Sequence, residues 1–283
     1  MPRPVRLPAR PASADLRRPA GPEREIPREA FVHRASLAAP RRPAFAGSRA
    51  ADRSRDRFTG GEDARRHRGD ARAGALKVVG NDVIDLADPE AADGALHPRF
   101  EARVLTLREL AQLVTHQGEE AARWRWLFWA AKEAAYKVAR AIDPTVRFSP
   151  RRFEVTMLGP DRAAVRHDGV RFAVAITRNA DFVHAVARGR STSPEAVLTG
   201  VAAIDGFDGE DPSRAARALA TEAVASRLGL TPSDLRIERA PRRPPVLLLD
   251  GAPAVRSLSL SHHGRFVAFA CGLLAPEKRR EVA

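Results

Sequence analysis

Lysine is scarce in this chain of 283 residues. Of its 48 basic side chains only Lys77, Lys132, Lys137 and Lys278 are lysines, and the other 44 are arginines. Cysteine is scarcer still. With Cys271 alone, the chain can form no intramolecular disulfide and no cysteine-built zinc site, which suits a reducing cytoplasm, the expected location. Long apolar runs are missing too. None approaches the roughly 18 residues needed to cross a bilayer, so the sequence predicts a soluble protein with no membrane partner. The first residues lack the apolar centre of a secretory signal, and their acids and prolines do not suit a transit peptide.

What is abundant is positive charge, unevenly spread. The formal net charge is +13; residues 1–75 hold 18 arginines against 9 acids, a net of +9, which leaves +4 for the rest. That segment is rich in Pro, Ala and Arg with no sustained apolar period. It cannot bury enough surface to offset chain entropy, so composition predicts a disordered extension over 1–75. A basic tail can grip nucleic-acid phosphates, which makes a nucleic-acid-binding protein one reading of the chain. An Arg-rich extension without function fits the same composition. Because the excess charge belongs to this one segment, nucleic acid is not the expected partner.

From Leu76 the texture changes, and "VVGNDVIDL" from Val78 has the form of a domain's natural beginning. This short β-branched run predicts a buried strand, with Gly80 and Asn81 marking a turn or bulge in it. "FEARVLTLRELAQLV" (100–114) has helical spacing, and a second helix is expected from about Ala121 to Ala141, stopped by Pro144. Its inner stripe is Trp124, Leu127, Phe128, Ala131, Ala135 and Val138. "RFEVTML", "RAAVRH" and "VRFAVAITR" follow as strands separated by Gly-Pro and Asp-Gly turns. After the polar stretch 189–195 the pattern restarts: a strand in "VLTGVAAIDGF", a helix capped by Asp211 and stopped by Gly229, then strands to the end. "VAITRNADFVHAVA" (174–187) also lies over "LSLSHHGRFVAFAC" (258–271) without a gap, Phe182 on Phe266 and Val183 on Val267. The expectation is an α+β protein of two pseudo-twofold-related α/β halves, 76–190 and 196–275, each a small mainly antiparallel sheet packed on helices.

Three stretches carry chemistry. Glu133 and Lys137 share one helix face, four residues apart. A surface ion pair is one reading. The other is a phosphate site, favoured by lysine's compact charge in an otherwise arginine-based chain and by the surrounding Phe128, Trp129 and Tyr136. Asp82 and Asp85 stand at a strand end beside a glycine, as turn carboxylates or as ligands of a hard cation. Asp82 with Glu133 would suit magnesium, which takes one or two protein carboxylates and completes its shell with water and phosphate. Ser261, His262 and His263 form a donor-rich turn that suits a phosphate.

Together, "GNDVIDL" (80–86), "WAAKEAAYK" (129–137) and "LSLSHHGRF" (258–266) resemble the signatures of the 4′-phosphopantetheinyl transferase superfamily, over roughly Leu76 to Leu274. The motif order differs from the two-halved, surfactin-synthetase type, where the Ser-His hairpin comes first. It is similar to a holo-acyl-carrier-protein synthase module with a second half appended. Ile84 stands where the two-halved type has glutamate, so the resemblance favours a two-carboxylate site of Asp82 and Glu133 over a three-carboxylate one that includes Asp85. It further implies Mg-dependent transfer of 4′-phosphopantetheine from coenzyme A to a serine of an acyl or peptidyl carrier protein. In that reaction Glu133 and Lys137 would be catalytic, Glu133 taking the serine proton directly or through a metal-bound water. Ser261, His262 and, in place of the family's Gly-Lys-Pro, Arg243 would serve the coenzyme, and Lys132 the coenzyme or the carrier surface. A catalytically inactive, carrier-docking homologue is a further alternative, opposed by the presence of Asp82, Glu133 and Lys137. A monomer is expected.

Overall fold

The computed structural model describes residues 77–204, 211–241 and 243–274, and the backbone of 31–34. The expectation for the extension 1–75 lies outside these residues except at β1 (Phe31–Arg34). In chain order there follow β2 (Val79–Asp85), α1 (Phe100–Val104), α2 (Leu107–Leu113), α3 (Gly118–Ile142), β3 (Glu154–Gly159), β4 (Arg162–His167), β5 (Val170–Arg178) and β6 (Phe182–Arg188). The chain continues through β7 (Val197–Ala203), α4 (Pro212–Leu228), β8 (Leu235–Glu238), β9 (Val246–Leu249), β10 (Ala252–Pro253), β11 (Ser257–His263) and β12 (Phe266–Gly272). The fold is α+β. Three antiparallel sheets have the orders β2-β6-β5-β4-β3, β1-β7-β12-β11 and β10-β9-β8.

Local chemistry explains most boundaries. Asp168 and Gly169, both at positive φ, turn β4 into β5. Asp211 caps α4 by accepting from the Ser213 N–H at 2.9 Å, and Gly229 ends that helix in the left-handed region. The helical run 100–114 is two helices. The Thr106 hydroxyl accepts from the Glu109 N–H, and the Glu109 carboxylate accepts from the Thr106 N–H at 2.7 Å, so a capping box starts α2 there. Leu127, Phe128, Ala131, Ala135 and Val138 of α3 are fully buried, as their spacing requires.

β2 departs from expectation. It is continuous, paired with β6 from Val79↔Arg188 to Asp85↔Phe182, without a bulge. Gly80 serves close approach instead: a Cβ there would lie 2.3 Å from the Ala134 carbonyl oxygen of α3. Pleating sends Gly80, Asp82 and Ile84 toward α3, and Val79, Asn81, Val83 and Asp85 toward the second half.

Two hairpins share one register. Ile176↔Ala185 and Arg178↔Val183 of β5–β6 correspond, 84 residues on, to Leu260↔Phe269 and His262↔Val267 of β11–β12. The same offset makes Val83, opposite His184, the counterpart of Val201, opposite Ala268. One core packs α3 on the five-stranded sheet, and another packs α4 around Leu247, Leu258 and Phe269. Between them lie two small clusters made of counterparts: Val83 with Val201 and Phe182 with Phe266, then Val79 with Val197 and Val186 with Ala270. No helix among the described residues is long and apolar enough to cross a membrane.

Candidate active site

Asp82, Glu133 and Lys137 come together where β2 lies against α3. The close approach permitted by Gly80 brings Lys137 over the strand, where its Nζ donates to Asp82 Oδ1 at 2.9 Å and to the Asn81 carbonyl oxygen at 2.7 Å. Lys137 therefore takes its acceptors across the helix–strand contact. An ammonium has three N–H bonds; two are used, and the side chain is 31% exposed, so the third is available to a ligand. Glu133 stands one helical turn before it, half-buried. Burial, then the negative charge of Asp82, push the Glu133 pKa up to about 7 from 4.5, against the pull of Lys137. A carboxylate held near a second one in this way is a donor set that a divalent cation would relieve, and magnesium accepts such a pair. Asp82 and Glu133 thus fit the metal that the sequence implies. Among the described residues no cluster of three or more His, Cys, Asp or Glu forms a larger metal site.

Asp85 points the other way and is spoken for. It is 1% exposed, and its carboxylate accepts from Arg265 Nε and Nη2, both at 2.8 Å, from the Arg265 N–H at 2.9 Å and from the Ala87 N–H at 2.9 Å. Burial works to raise its pKa, and these hydrogen bonds outweigh it and hold the group below the ordinary carboxylate range.

The structure corrects two expected coenzyme contacts. Lys132 is fully buried on α3, where it meets Glu109 Oε2 at 2.8 Å and donates to the Phe153 and Pro150 carbonyl oxygens at 2.7 and 3.1 Å. Three donors meet three acceptors in a space that excludes water, and no coenzyme can reach them. Burial pushes the Lys132 pKa down, and Glu109 draws it back up. Glu109 is equally buried, and its other oxygen accepts from the Val155 N–H at 2.7 Å, so the pair ties α2, α3 and β3 together. Ser261 is also buried, and its hydroxyl donates to Asn81 Oδ1 instead of facing a phosphate. His262 is exposed on β11, and Arg243 is exposed in the turn before β9.

Ser261 belongs to a row that sequence reasoning missed. As an edge strand, β2 turns alternate N–H groups away from β6, and β11 satisfies them with side chains. Ser257 Oγ accepts from Val79, Ser259 Oγ from Asn81 and His263 Nδ1 from Asp85, at 3.2, 3.0 and 3.2 Å. Asn81 Nδ2 adds a bond to the Ser259 carbonyl oxygen at 2.9 Å. The signal was present in the strict alternation of Ser257, Ser259, Ser261 and His263 with Leu258 and Leu260: a polar face opposite an apolar one. The equivalent edge of β7 is covered differently, by β1 with Phe31↔Val201 to Arg34↔Leu198.

Comparison with protein families covers two of the three motifs. Residues 78–187 match the family model of the 4′-phosphopantetheinyl transferase superfamily. Among solved structures, holo-[acyl-carrier-protein] synthase from Neisseria meningitidis is similar at 18% identity and a TM-score of 0.33, over 40% of this chain and 96% of that one. No curated protein matches the sequence. The matched stretch contains β2, α3 and every member of the Asp82–Glu133–Lys137 cluster, while the Ser-His hairpin lies beyond it. The glycine–aspartate strand and the lysine–glutamate helix thus lie in a stretch, less than half of the chain, that is similar to the 4′-phosphopantetheinyl transferase superfamily.

Proposed function

We propose that this protein transfers 4′-phosphopantetheine from coenzyme A to a serine of an acyl or peptidyl carrier protein, in a Mg-dependent reaction of the holo-acyl-carrier-protein synthase kind. The observation that carries the reading is the Asp82–Glu133–Lys137 cluster, with Glu133 poised near neutrality beside a second carboxylate. The serine oxygen attacks a phosphorus of the coenzyme's pyrophosphate, the bond to adenosine 3′,5′-bisphosphate breaks, and the serine proton passes to Glu133. Without a metal the group sits near neutrality, and a bound cation would lower its pKa and keep it ionised to accept the proton. Lys137 offers its third N–H to a phosphate oxygen, with Asp82 and Asn81 fixing the ammonium. A magnesium ion held by Asp82 and Glu133 would offset negative charge on the pyrophosphate, where most catalysis of phosphoryl transfer lies. His262 and Arg243 are the exposed groups left for the nucleotide end.

The protein works as a cytoplasmic monomer in this reading. Residues 76–190 supply the acids and the lysine, and residues 196–275 the hairpin. The test is to incubate the full chain with Mg²⁺, coenzyme A and a panel of apo-carrier proteins and weigh the carriers. Transfer adds about 340 Da to one of them as a covalent serine modification. No gain on any carrier, with coenzyme A unconsumed, would sink the reading.

A further inference from the structure

The contact between β2 and β11 contains one member unlike the rest. Ser257, Ser259 and His263 each accept one neutral N–H bond. Beyond them, at the hairpin turn, Arg265 folds back on Asp85 with a two-pronged, charge-assisted bond that is shorter and directional. Gly264, at φ +50°, makes this closure possible, because a Cβ there would stand 2.5 Å from Asp85 Oδ2. The other hairpin has Ala180 and the exposed Asp181 at the corresponding places, so its turn is built without such a lock. The fork is therefore no requirement of the hairpin itself. It joins the two halves.

We propose that Asp85 and Arg265 form a positioning link, which holds the Ser-His hairpin of the second half at a fixed place relative to Asp82, Glu133 and Lys137. The inference rests on the transferase reading and concerns how its coenzyme site is held across two halves. Asp85 follows Asp82 by three residues in one stiff strand, and Arg265 follows the exposed His262 by three around one tight turn. Neutral contacts of Asn81 with Ser259 and Ser261 join the two strands closer to Asp82, and the Asp85–Arg265 fork adds the charged contact that closes the turn beyond His262. Without it the turn keeps its neutral bonds and gains freedom to pivot, so a nucleotide held there is placed less accurately.

The experiment compares the full-length protein with Arg265→Ala, Asp85→Asn, their double variant and Arg265→Lys, which keeps the charge but loses the fork. Arg152→Ala, which removes only the exposed pair with Asp168, is the control. Steady-state kinetics at temperatures well below each melting point give KM for coenzyme A and kcat separately. The link predicts that either single variant raises KM by about 10- to 100-fold, with kcat within a few-fold. The double variant should be no worse than the singles, Arg265→Lys intermediate and Arg152→Ala silent. Lower melting points with unchanged KM would make the pair merely structural and overturn the proposal, as would additive effects in the double variant. Should Arg265→Ala fail to fold, Arg265→Lys decides: an unchanged KM in that variant overturns the link. A wild-type protein without turnover overturns the transferase reading and the link's role with it. Wild-type turnover with indifferent variants overturns the link alone.

Discussion

The two hairpins are laid on one backbone plan and carry opposite chemistry. β5–β6 and β11–β12 share a register, and the strands beside them, β2 and β7, pair in step with it. Yet where the first half has Asp82, opposite Ala185, the second has Gly200, opposite Phe269. A Cβ at Gly200 would sit 2.7 Å from the Phe269 ring, so the second half has filled with an aromatic the space that the first half gives to a carboxylate. Where the first half buries His184, the second has Ala268. The long helix of the first half carries two lysines, and α4 carries none. Shared backbone geometry fixes strand and turn. It does not fix which half holds charge.

The sharpest way to break this contrast is to strip the first half of its acids. Asp82→Ala and Glu133→Ala should each lower Mg-dependent turnover by about 10²- to 10⁴-fold, measured as coenzyme A consumed with a competent carrier, while both proteins remain folded. Retained turnover in either would mean that the acids are not what distinguishes the halves. Next in size is Lys132→Met, which leaves the Glu109 charge buried without its partner. Breaking a buried pair in this way costs about 3–5 kcal/mol, to be read from urea unfolding. A loss of activity without that loss of stability would return Lys132 to the coenzyme.

Lys137→Arg tests the other lysine. The guanidinium cannot occupy the point at which Nζ meets Asn81 and Asp82, and misplacing a catalytic charge by about 1 Å costs on the order of 10² in rate. The variant should melt close to wild type, and full activity would reduce Lys137 to an ion pair. The smallest effect concerns His184. Burial, then the charge of Lys137, push its pKa down to about 3 from 6.5, and its Nε2 has no partner among the described residues. The folded state keeps this ring neutral, whereas the unfolded chain takes up a proton below pH 6.5. The stability it contributes is intact above pH 6.5 and is lost as pH falls toward 3. His184→Ala, copying Ala268, should therefore give a shallower fall of stability between pH 6.5 and 4. An unchanged slope would show that His184 is not the group that titrates.

Much of the site was legible in the chain because its members are close in sequence or fixed by spacing. Asp82, Glu133 and Lys137 follow from two short motifs, and the helix brings the latter two onto one face. The roles of Lys132 and Ser261 were not legible. Lys132 lies next to Glu133, but about 100° around the helix, and only the packing of α2 and β3 decided that this direction leads into Glu109. Ser261 sits in a motif suited to phosphate, yet its side chain belongs to the face of β11 that covers β2. Gly80 signalled a special backbone, and its reason proved to be the approach of a helix rather than a bulge.

By itself the sequence determined the elements, the turns between them, the repeated hairpin and the carboxylate–lysine set, because each depends on periodicities of a few residues. Only the tertiary structure decided which charges are free and which are spent. Asp85 and Arg265 are 180 residues apart, as are Asn81 and Ser261. Whether a polar side chain faces a ligand or satisfies another strand is settled by which surfaces pack together, and burial then makes an unpaired charge too costly to leave.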